Sequence, residues 1–352
     1  MQQQIINRIT NPLDFAKGAQ NQHGMYIYGI IKTSDPQEFG EIGIGNKASQ
    51  VLTVGFKDLA AVVSKSPFVV YDSLAKEKTV KDLVTHQFVI EKVLEGFTII
   101  PVKFGTMVES EDEAIKFLEK GYSLLSNELC KMEGKIELDV VAGWELPKIL
   151  AAVLRHNGQI QKKQNEIAMQ GDKVSLEDKV ALGKLIEQAL KTEKAGYSEL
   201  ILQTLQKETI DVCLHDLAND EMIFNGAFLL EKKNEEFFNE VVNSLDQKLE
   251  NTVNFRVVGP LPLYSFSTIL LEKIDPRRLE EAKKTLGLNG ELTDKAVREA
   301  YHQLAQKCHP DKSSGEDSPN FHLIHSAYRT LKNFIENGLM HVEVYRWEKD
   351  LE

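Results

Sequence analysis

The sequence predicts an α+β chain that ends in an all-helical appendage. Three observations carry this expectation. From residue 25 to 143, β-branched and aromatic runs alternate with stretches of helical period. From 145 to 206 the chain turns rich in Lys, Gln, Glu, Leu and Ala, the composition of two or three helices. Beyond 276 the apolar residues recur at helical spacing, punctuated by Gly and Pro. With 352 residues, 42% hydrophobic and 27% charged, the chain is long enough for two or three domains with cores of their own.

Residues 1–24 are polar and broken by Asn11-Pro12 and Gly18, which reads as an N-terminal arm. Residues 25–32, bounded by Gly24 and Ser34-Asp35-Pro36, read as a first, buried strand. Gly40, Gly43 and Gly45 mark a glycine-rich hairpin. Gly43-x-Gly45-x-x-Ala48 has the outline of a dinucleotide-binding turn, but 51–54 is strand-like where that motif needs a helix. Residues 59–63 form a further strand. Over 79–96, Val80, Leu83, Val84, Phe88, Val93 and Leu94 recur at helical spacing, and Gly96 stops the helix. Residues 98–104 return to strand, with Pro101 marking an edge or a bulge. Ser110 caps a second helix, reaching 127, with Glu111, Asp112 and Glu113 at the positive end of its dipole.

A strand over 136–142 then closes the first domain, 25–143. The order strand, helix, strand, helix, strand with short hairpins suggests a ferredoxin-like sandwich. A helical layer follows over 144–208, with breaks near Gly158 and Gly171-Asp172. A second α+β unit spans 209–267, with strands at 209–217, 222–230 and 253–258 and a helix over 234–249. A linker (268–275), a helical module (276–335) and a tail (336–352) complete the expected plan.

The second unit closes on Arg256-Val-Val-Gly-Pro-Leu-Pro-Leu-Tyr-Ser-Phe266. Pro260 and Pro262 lack a backbone donor and cannot sit in a central ladder. A strand that ends at Gly259 and then turns sharply against the body is the expectation.

The formal net charge is −11 and no long basic run is present, so nucleic acid is not an expected partner. Three separated cysteines, Cys130, Cys213 and Cys308, do not suggest a disulfide framework and fit a reducing compartment. No signal-peptide pattern opens the sequence and no apolar run spans a bilayer, so a cytoplasmic protein without membrane contact is expected. No nucleophile–base motif, phosphate loop or metal cluster stands out, and neither enzyme activity nor a cofactor is expected. His86, Glu91, Asp139 and Glu145 read as surface or helix-face residues. Cys308, His309, His322 and His325 lack the paired thiols typical of structural zinc.

In the appendage, Pro276 opens a helix ended by Gly287. Thr293 caps a second, with Val297, Ala300, Tyr301, Leu304 and Ala305 on its apolar face. Ser318 caps a third, containing Phe321, Ile324, Tyr328 and Leu331. Between the last two sits His309-Pro310-Asp311-Lys312. Ala300-Tyr301-x-x-Leu304-Ala305-x-Lys307-x-His309-Pro310-Asp311-Lys312 and Phe321-x-x-Ile324-x-x-Ala327-Tyr328-x-x-Leu331 resemble a J domain, the module that activates DnaK-type chaperones. The resemblance implies a chaperone contact through His309, Pro310 and Asp311 with Lys295, Arg298 and Lys307 on the second helix. That helix is less basic than is usual in the family, since Asp294 and Glu299 offset its cations.

The body, about 24–267, resembles the gas vesicle accessory proteins of the GvpF/GvpL family. Gly24-Met-Tyr-Ile-Tyr-Gly-Ile30, Leu59-Ala-Ala-Val-Val-Ser64, Pro101-Val-Lys-Phe-Gly-Thr106, Phe224-Asn-Gly-Ala-Phe-Leu-Leu230 and Val258-Gly-Pro-Leu-Pro-Leu-Tyr-Ser-Phe266 carry the match in the family's order. Leu261 departs from the Trp usual before the second proline. The resemblance implies two modified ferredoxin-like domains with a helical layer. It gives Tyr26, Tyr28, Gly29, Pro101, Phe104, Gly105, Gly259, Pro260, Pro262, Tyr264 and Phe266 structural roles as family-motif residues. It further implies a gas vesicle assembly factor that binds the apolar shell protein, limits its aggregation during nucleation, and meets other accessory proteins of the vesicle. The J-like module would add recruitment of a DnaK-type chaperone. The alternative is a minor structural component of the vesicle with an inert appendage.

Overall fold

The computed structural model describes residues 23–45, 48–68, 71, 76–171, 174–249, 252–274, 276–307 and 319–347. Residues 1–22 of the expected arm lie outside this set. The described chain forms two compact units. One comprises Met132–Ser267 and the return of the chain from Arg346, and the other the residues up to Lys131 together with Thr268–Tyr345.

The first body is built on an antiparallel sheet of order β2 (Glu38–Gly43), β3 (Ser49–Phe56), β4 (Leu59–Pro67), β1 (His23–Lys32), β5 (Ile99–Pro101), with β6 (Met107–Val108) also paired to β1. β1 is central, and eight of its ten residues are buried, as its β-branched and aromatic run predicts. Its period of two sends Met25, Ile27 and Ile30 to one face, with a register shift between Ile27 and Gly29. Helix α2 (Glu111–Met132) packs there through Ala114, Phe117, Leu118, Leu125 and Leu129. Tyr26 and Tyr28 face the other way, toward helix α1 (Lys76–Leu94). Ser110 caps α2 as expected, its hydroxyl accepting from the Glu113 N–H at 3.3 Å.

The second body has the antiparallel order β10 (Val253–Leu261), β7 (Lys135–Trp144), β9 (Met222–Glu231), β8 (Asp211–Leu214). This corrects the expected boundary at 143. The strand read as closing the first domain is an interior strand of the second sheet, paired from Lys135↔Glu231 to Gly143↔Met222 on one side and with β10 on the other. The alternation of Ile136, Leu138, Val140 and Ala142 tells which residues share a face, not which sheet they join. The helical layer is α3 (Leu146–His156), α4 (Gly158–Gln170) and α5 (Leu176–Leu205), and α6 (Glu235–Lys248) joins it over the same face. Asn157 caps α4, its Oδ1 accepting from the N–H groups of Gln159 and Ile160 at 3.1 and 3.2 Å.

β10 runs on through Gly259-Pro260 to Leu261 instead of ending at Gly259, with a register shift after Val258 and a cis Gly259–Pro260 bond. It stays an edge strand, the position proline permits.

The expected linker and tail are also corrected. Thr268–Lys273 is strand β11 and Met340–Tyr345 is strand β12, paired antiparallel from Thr268↔Tyr345 to Lys273↔Met340. Ile269, Leu271 and Val342 are buried in the core of the first body. Between these strands sit α7 (Pro276–Leu286), α8 (Asp294–Lys307) and α9 (Pro319–Asn337) around their own core of Leu279, Ala282, Leu286, Val297, Ile324, Ala327 and Leu331. Gly287, at φ 69°, ends α7 with the paired bonds Leu288 N–H to Lys283 O and Gly287 N–H to Lys284 O, a Schellman stop.

Candidate functional site

Three places gather the residues singled out by sequence. The first lies under α1. Tyr26 and Tyr28 are fully buried. The Tyr26 hydroxyl lies 3.0 Å from His86 Nδ1 and accepts from the Gly105 N–H at 2.9 Å. The Tyr28 hydroxyl lies 2.8 Å from Ser64 Oγ and accepts from the Ile44 N–H at 2.7 Å. Phe104 stands edge-on to His86, centroids 5.5 Å apart, and 4.5 Å from Tyr71. Gly105 has φ 86°, a turn that favours glycine. Gly29 faces Pro101 across β1 and β5, and a Cβ there would meet Ile99 at 2.6 Å. Two motifs far apart in sequence thus form one buried aromatic box.

Burial holds the His86 imidazole down to about 3, so it is neutral, and its Nε2 has no hydrogen-bond partner among the described residues. Burial likewise raises the Tyr71 phenol and the Asp82 carboxyl that accepts from it at 3.3 Å.

The second place is the far face of the second sheet. β7 turns Glu137 and Asp139 away from the helical layer, and both are 2% exposed. The closing motif folds over them. The Ser265 N–H and hydroxyl donate to the two Glu137 carboxylate oxygens at 2.9 and 2.7 Å. His215 Nε2 lies 3.2 Å from the same hydroxyl. Leu263 and Phe266 pack on Cys213, Ala227 and Leu229. Gly259 has φ 147°, and a Cβ there would lie 2.5 Å from Leu138, so a side chain does not fit. Pro260 is exposed, Pro262 is buried, and Tyr264 is half-buried in the turn its N–H makes to Pro262 O at 2.7 Å.

Burial first, then the Asp139 charge, raises the Glu137 carboxyl. Burial pushes Asp139 up to about 7 and His215 down to about 4. The acid orients the serine and not the imidazole, so the order differs from a nucleophile–base–acid triad.

The third place is the helical module. Lys295 and Arg298 project from α8, where Lys295 lies 3.9 Å from Glu299 and Arg298 lies 2.8 Å from Asp294. Lys307 is the last residue of α8. His309, Pro310, Asp311 and Lys312 lie outside the described residues, as does Ser318. Tyr301 stacks on Tyr328 at 4.4 Å, and its hydroxyl lies 3.2 Å from His325 Nδ1, joining α8 to α9.

Sequence reasoning missed Glu137, His215, Ser265 and Trp347 as a group. It also read His86 and Asp139 as surface residues, which their burial corrects, while Glu91 and Glu145 are exposed. One signal was available: two carboxylates at alternate positions in an otherwise apolar strand, Ile136-Glu-Leu-Asp-Val-Val141. No described helix is long and apolar enough to cross a membrane.

Comparison with known proteins bears on all three places. The family model "Gas vesicle synthesis protein GvpL/GvpF" matches residues 24–268, and a DnaJ domain model matches 284–335. Gas vesicle protein F of Nostoc sp. (strain PCC 7120) is 27% identical over 251 residues, covering 70% of this chain and 98% of that protein. The Streptomyces sp. (strain CB03234) protein of the same name is 29% identical over 246 residues, covering 68% and 98%. The crystal structure of GvpF from Anabaena sp. PCC7120 superposes with a TM-score of 0.60 at 25% identity, over 69% of this chain and 98% of that one. GvpF from Microcystis aeruginosa has the same fold, with a TM-score of 0.54. The body matches these relatives almost end to end, and the helices beyond it match a separate module. The chain therefore belongs to the GvpL/GvpF family of gas vesicle synthesis proteins and carries a DnaJ domain behind the family's body.

Proposed function

We propose that this protein is an assembly factor of gas vesicles, not an enzyme. Its body binds the small apolar shell protein, limits its aggregation during nucleation, and meets other accessory proteins. Its J module brings a DnaK-type chaperone to that client. The work is done in the cytoplasm, where the vesicle forms. One observation carries the reading: a body that spans 98% of its gas-vesicle relatives is joined, on one chain, to a DnaJ domain. Joining the two sites turns the second encounter into an intramolecular one, at an effective concentration on the order of millimolar for a short connection.

The test uses the full chain, the purified shell protein and a DnaK-type chaperone with ATP. The expected result is slower shell-protein aggregation with the chain alone, and stimulated ATP hydrolysis that Asp311→Asn abolishes. A chain that neither retains the shell protein nor slows its aggregation overturns the client half. Equal ATP hydrolysis with and without Asp311→Asn overturns the chaperone half.

A second reading, an inert appendage, draws on the α8 ion pairs. They occupy two of the cations that a chaperone contact would use.

A further inference from the structure

We propose that the J module is a fixed arm: β11 and β12 hold it in one orientation on the first body, and that orientation presents the recruited chaperone to the client. The delivery half rests on the function proposed above; the fixed arm does not.

A swinging tether would be polar, unpaired and solvated. The connection here is none of these. β11 enters the first body's hydrogen bonding through the parallel bridge Val102↔Ile269, where the Lys103 N–H donates to Ile269 O at 2.9 Å. Ile269, Leu271 and Val342 are 0%, 6% and 8% exposed within that body's core. Lys273 Nζ meets Glu113 at 2.7 Å with both side chains largely covered. On the returning strand, Lys120 Nζ donates to Met340 O, and the Gly121 backbone lies against Val342.

The joints to the helices are as short as the strands are deep. Residues 274 and 275 separate β11 from α7, and 338 and 339 separate α9 from β12. Pairing continues into the joint, since the Ile274 N–H donates to Leu339 O at 2.9 Å. Ile274 also packs on the module's own core. Gly338, at φ 73°, turns the chain out of α9 with its N–H on Phe334 O at 2.8 Å.

Past β12 the chain rejoins the second body. The Trp347 N–H donates to Ser265 O at 2.9 Å, and the Cys213 thiol donates to Trp347 O at 3.3 Å. The indole stands edge-on to His215 at 5.3 Å, and Arg346 lies 3.6 Å from Asp211. The chain thus leaves the second body just after Ser265 and comes back onto Ser265. The module is an insertion held at both ends and not a terminal tail.

The test places spin labels at Glu119 on α2 and Glu299 on α8 through unnatural keto amino acids, so that all three cysteines stay. The full chain is expected to give one narrow distance distribution. A variant with about ten Gly/Ser residues inserted after Ile274 and again after Asn337 is expected to give a broad one. A broad distribution from the uninserted chain overturns the fixed arm.

The same pair of proteins tests delivery. The inserted variant is expected to stimulate the chaperone's ATP hydrolysis within about twofold of the uninserted chain. It should lose about fivefold in chaperone-dependent suppression of shell-protein aggregation, the cost of an unguided second encounter. Full suppression by the inserted variant overturns the delivery half. An uninserted chain that fails to stimulate hydrolysis overturns the functional reading and delivery with it, while its narrow distribution would still support the fixed arm.

Discussion

The two bodies of this chain bury polar groups of different kinds, mainly phenols in one and carboxyls in the other. Under α1 the groups are phenols, a serine and a neutral imidazole, joined by the Tyr26 and Tyr28 bonds, with one carboxyl, Asp82, accepting from Tyr71. On the far face of the second sheet they are two carboxylates, with a serine and an imidazole above them. Both clusters tie a family motif to a central strand. The phenols and the serine cost little desolvation and are satisfied by ordinary hydrogen bonds, while His86 keeps Nε2 without a partner among the described residues. A buried carboxyl is costly unless its acceptors are used or it takes up a proton: Glu137 uses both oxygens on Ser265, while Asp139, whose Oδ1 has no partner among the described residues, is pushed up to about 7 by burial. The second body therefore stands or falls with the motif that covers it, whereas the first has its bonds spread over several partners.

The largest expected effect follows from that asymmetry. Glu137→Ala strands the Ser265 N–H, leaves its hydroxyl only His215 Nε2 at 3.2 Å, empties a position 2% exposed and removes the anchor of the closing motif. A loss of about 3 kcal/mol is expected in denaturant unfolding. Both tryptophans, Trp144 and Trp347, belong to the second body, so their fluorescence reports it. Tyr28→Phe comes next. It keeps the ring and loses bonds to Ser64 and the Ile44 N–H, for about 1–2 kcal/mol. If Tyr28→Phe costs as much as Glu137→Ala, the contrast between the two bodies fails.

The third prediction concerns pH. His86 titrates near 3 in the fold against about 6.5 unfolded, so its contribution is complete above about 6.5 and is lost as pH falls toward 3. Asp139 titrates near 7 in the fold against about 3.9 unfolded, so its contribution is complete below about 3.9 and is lost as pH rises toward 7. Raising pH from about 4 to 7 should strengthen the first body through His86, against the opposite pull of the raised Asp82 carboxyl, and weaken the second through Asp139 and the raised Glu137. His215, near 4 in the fold, pulls the second body the other way, so the diagnostic is the difference between variants. Asp139→Asn should make tryptophan-monitored stability rise more steeply with pH, and His86→Phe should flatten hydrogen-exchange protection of β1. An unchanged slope in Asp139→Asn removes the carboxylate from the comparison.

The smallest expected effect lies in the J module. Asp294→Asn with Glu299→Gln releases Arg298 and Lys295 from exposed i,i+4 pairs worth a few tenths of a kcal/mol each. Stability should barely move, and stimulation of chaperone ATP hydrolysis should rise about twofold through electrostatic attraction. No rise would argue that these cations do not face the chaperone.

Legibility in the sequence followed the range of the interaction. The helix over 79–96 and the capped helix after Ser110 were readable as helices because period and cap are local signals, but the buried face of the first was not: Val80, Val84 and Phe88 of its expected stripe are exposed, while Asp82, His86, Val89 and Ile90 are buried. The J module was readable because its spacing and its tripeptide lie within sixty residues. β7 was found as a strand and assigned to the wrong sheet, since Ile136, Leu138 and Val140 state a face and no partner. β11 was taken for a linker because Thr268–Lys273 is short and its partner lies beyond a whole inserted module. Glu137 and Ser265 meet across 128 positions, a pairing that no window of sequence contains.

By itself the sequence determined most of the elements, though not β11 or β12, and the two modules and their order, because helical period, strand alternation, caps and motifs are written in neighbouring residues. Only the tertiary structure decided which sheet β7 joins, that His86, Glu137 and Asp139 are buried, and that the J module is inserted between the paired strands β11 and β12. Those outcomes depend on which distant surfaces exclude water from one another, and burial of that kind is a property of the folded whole.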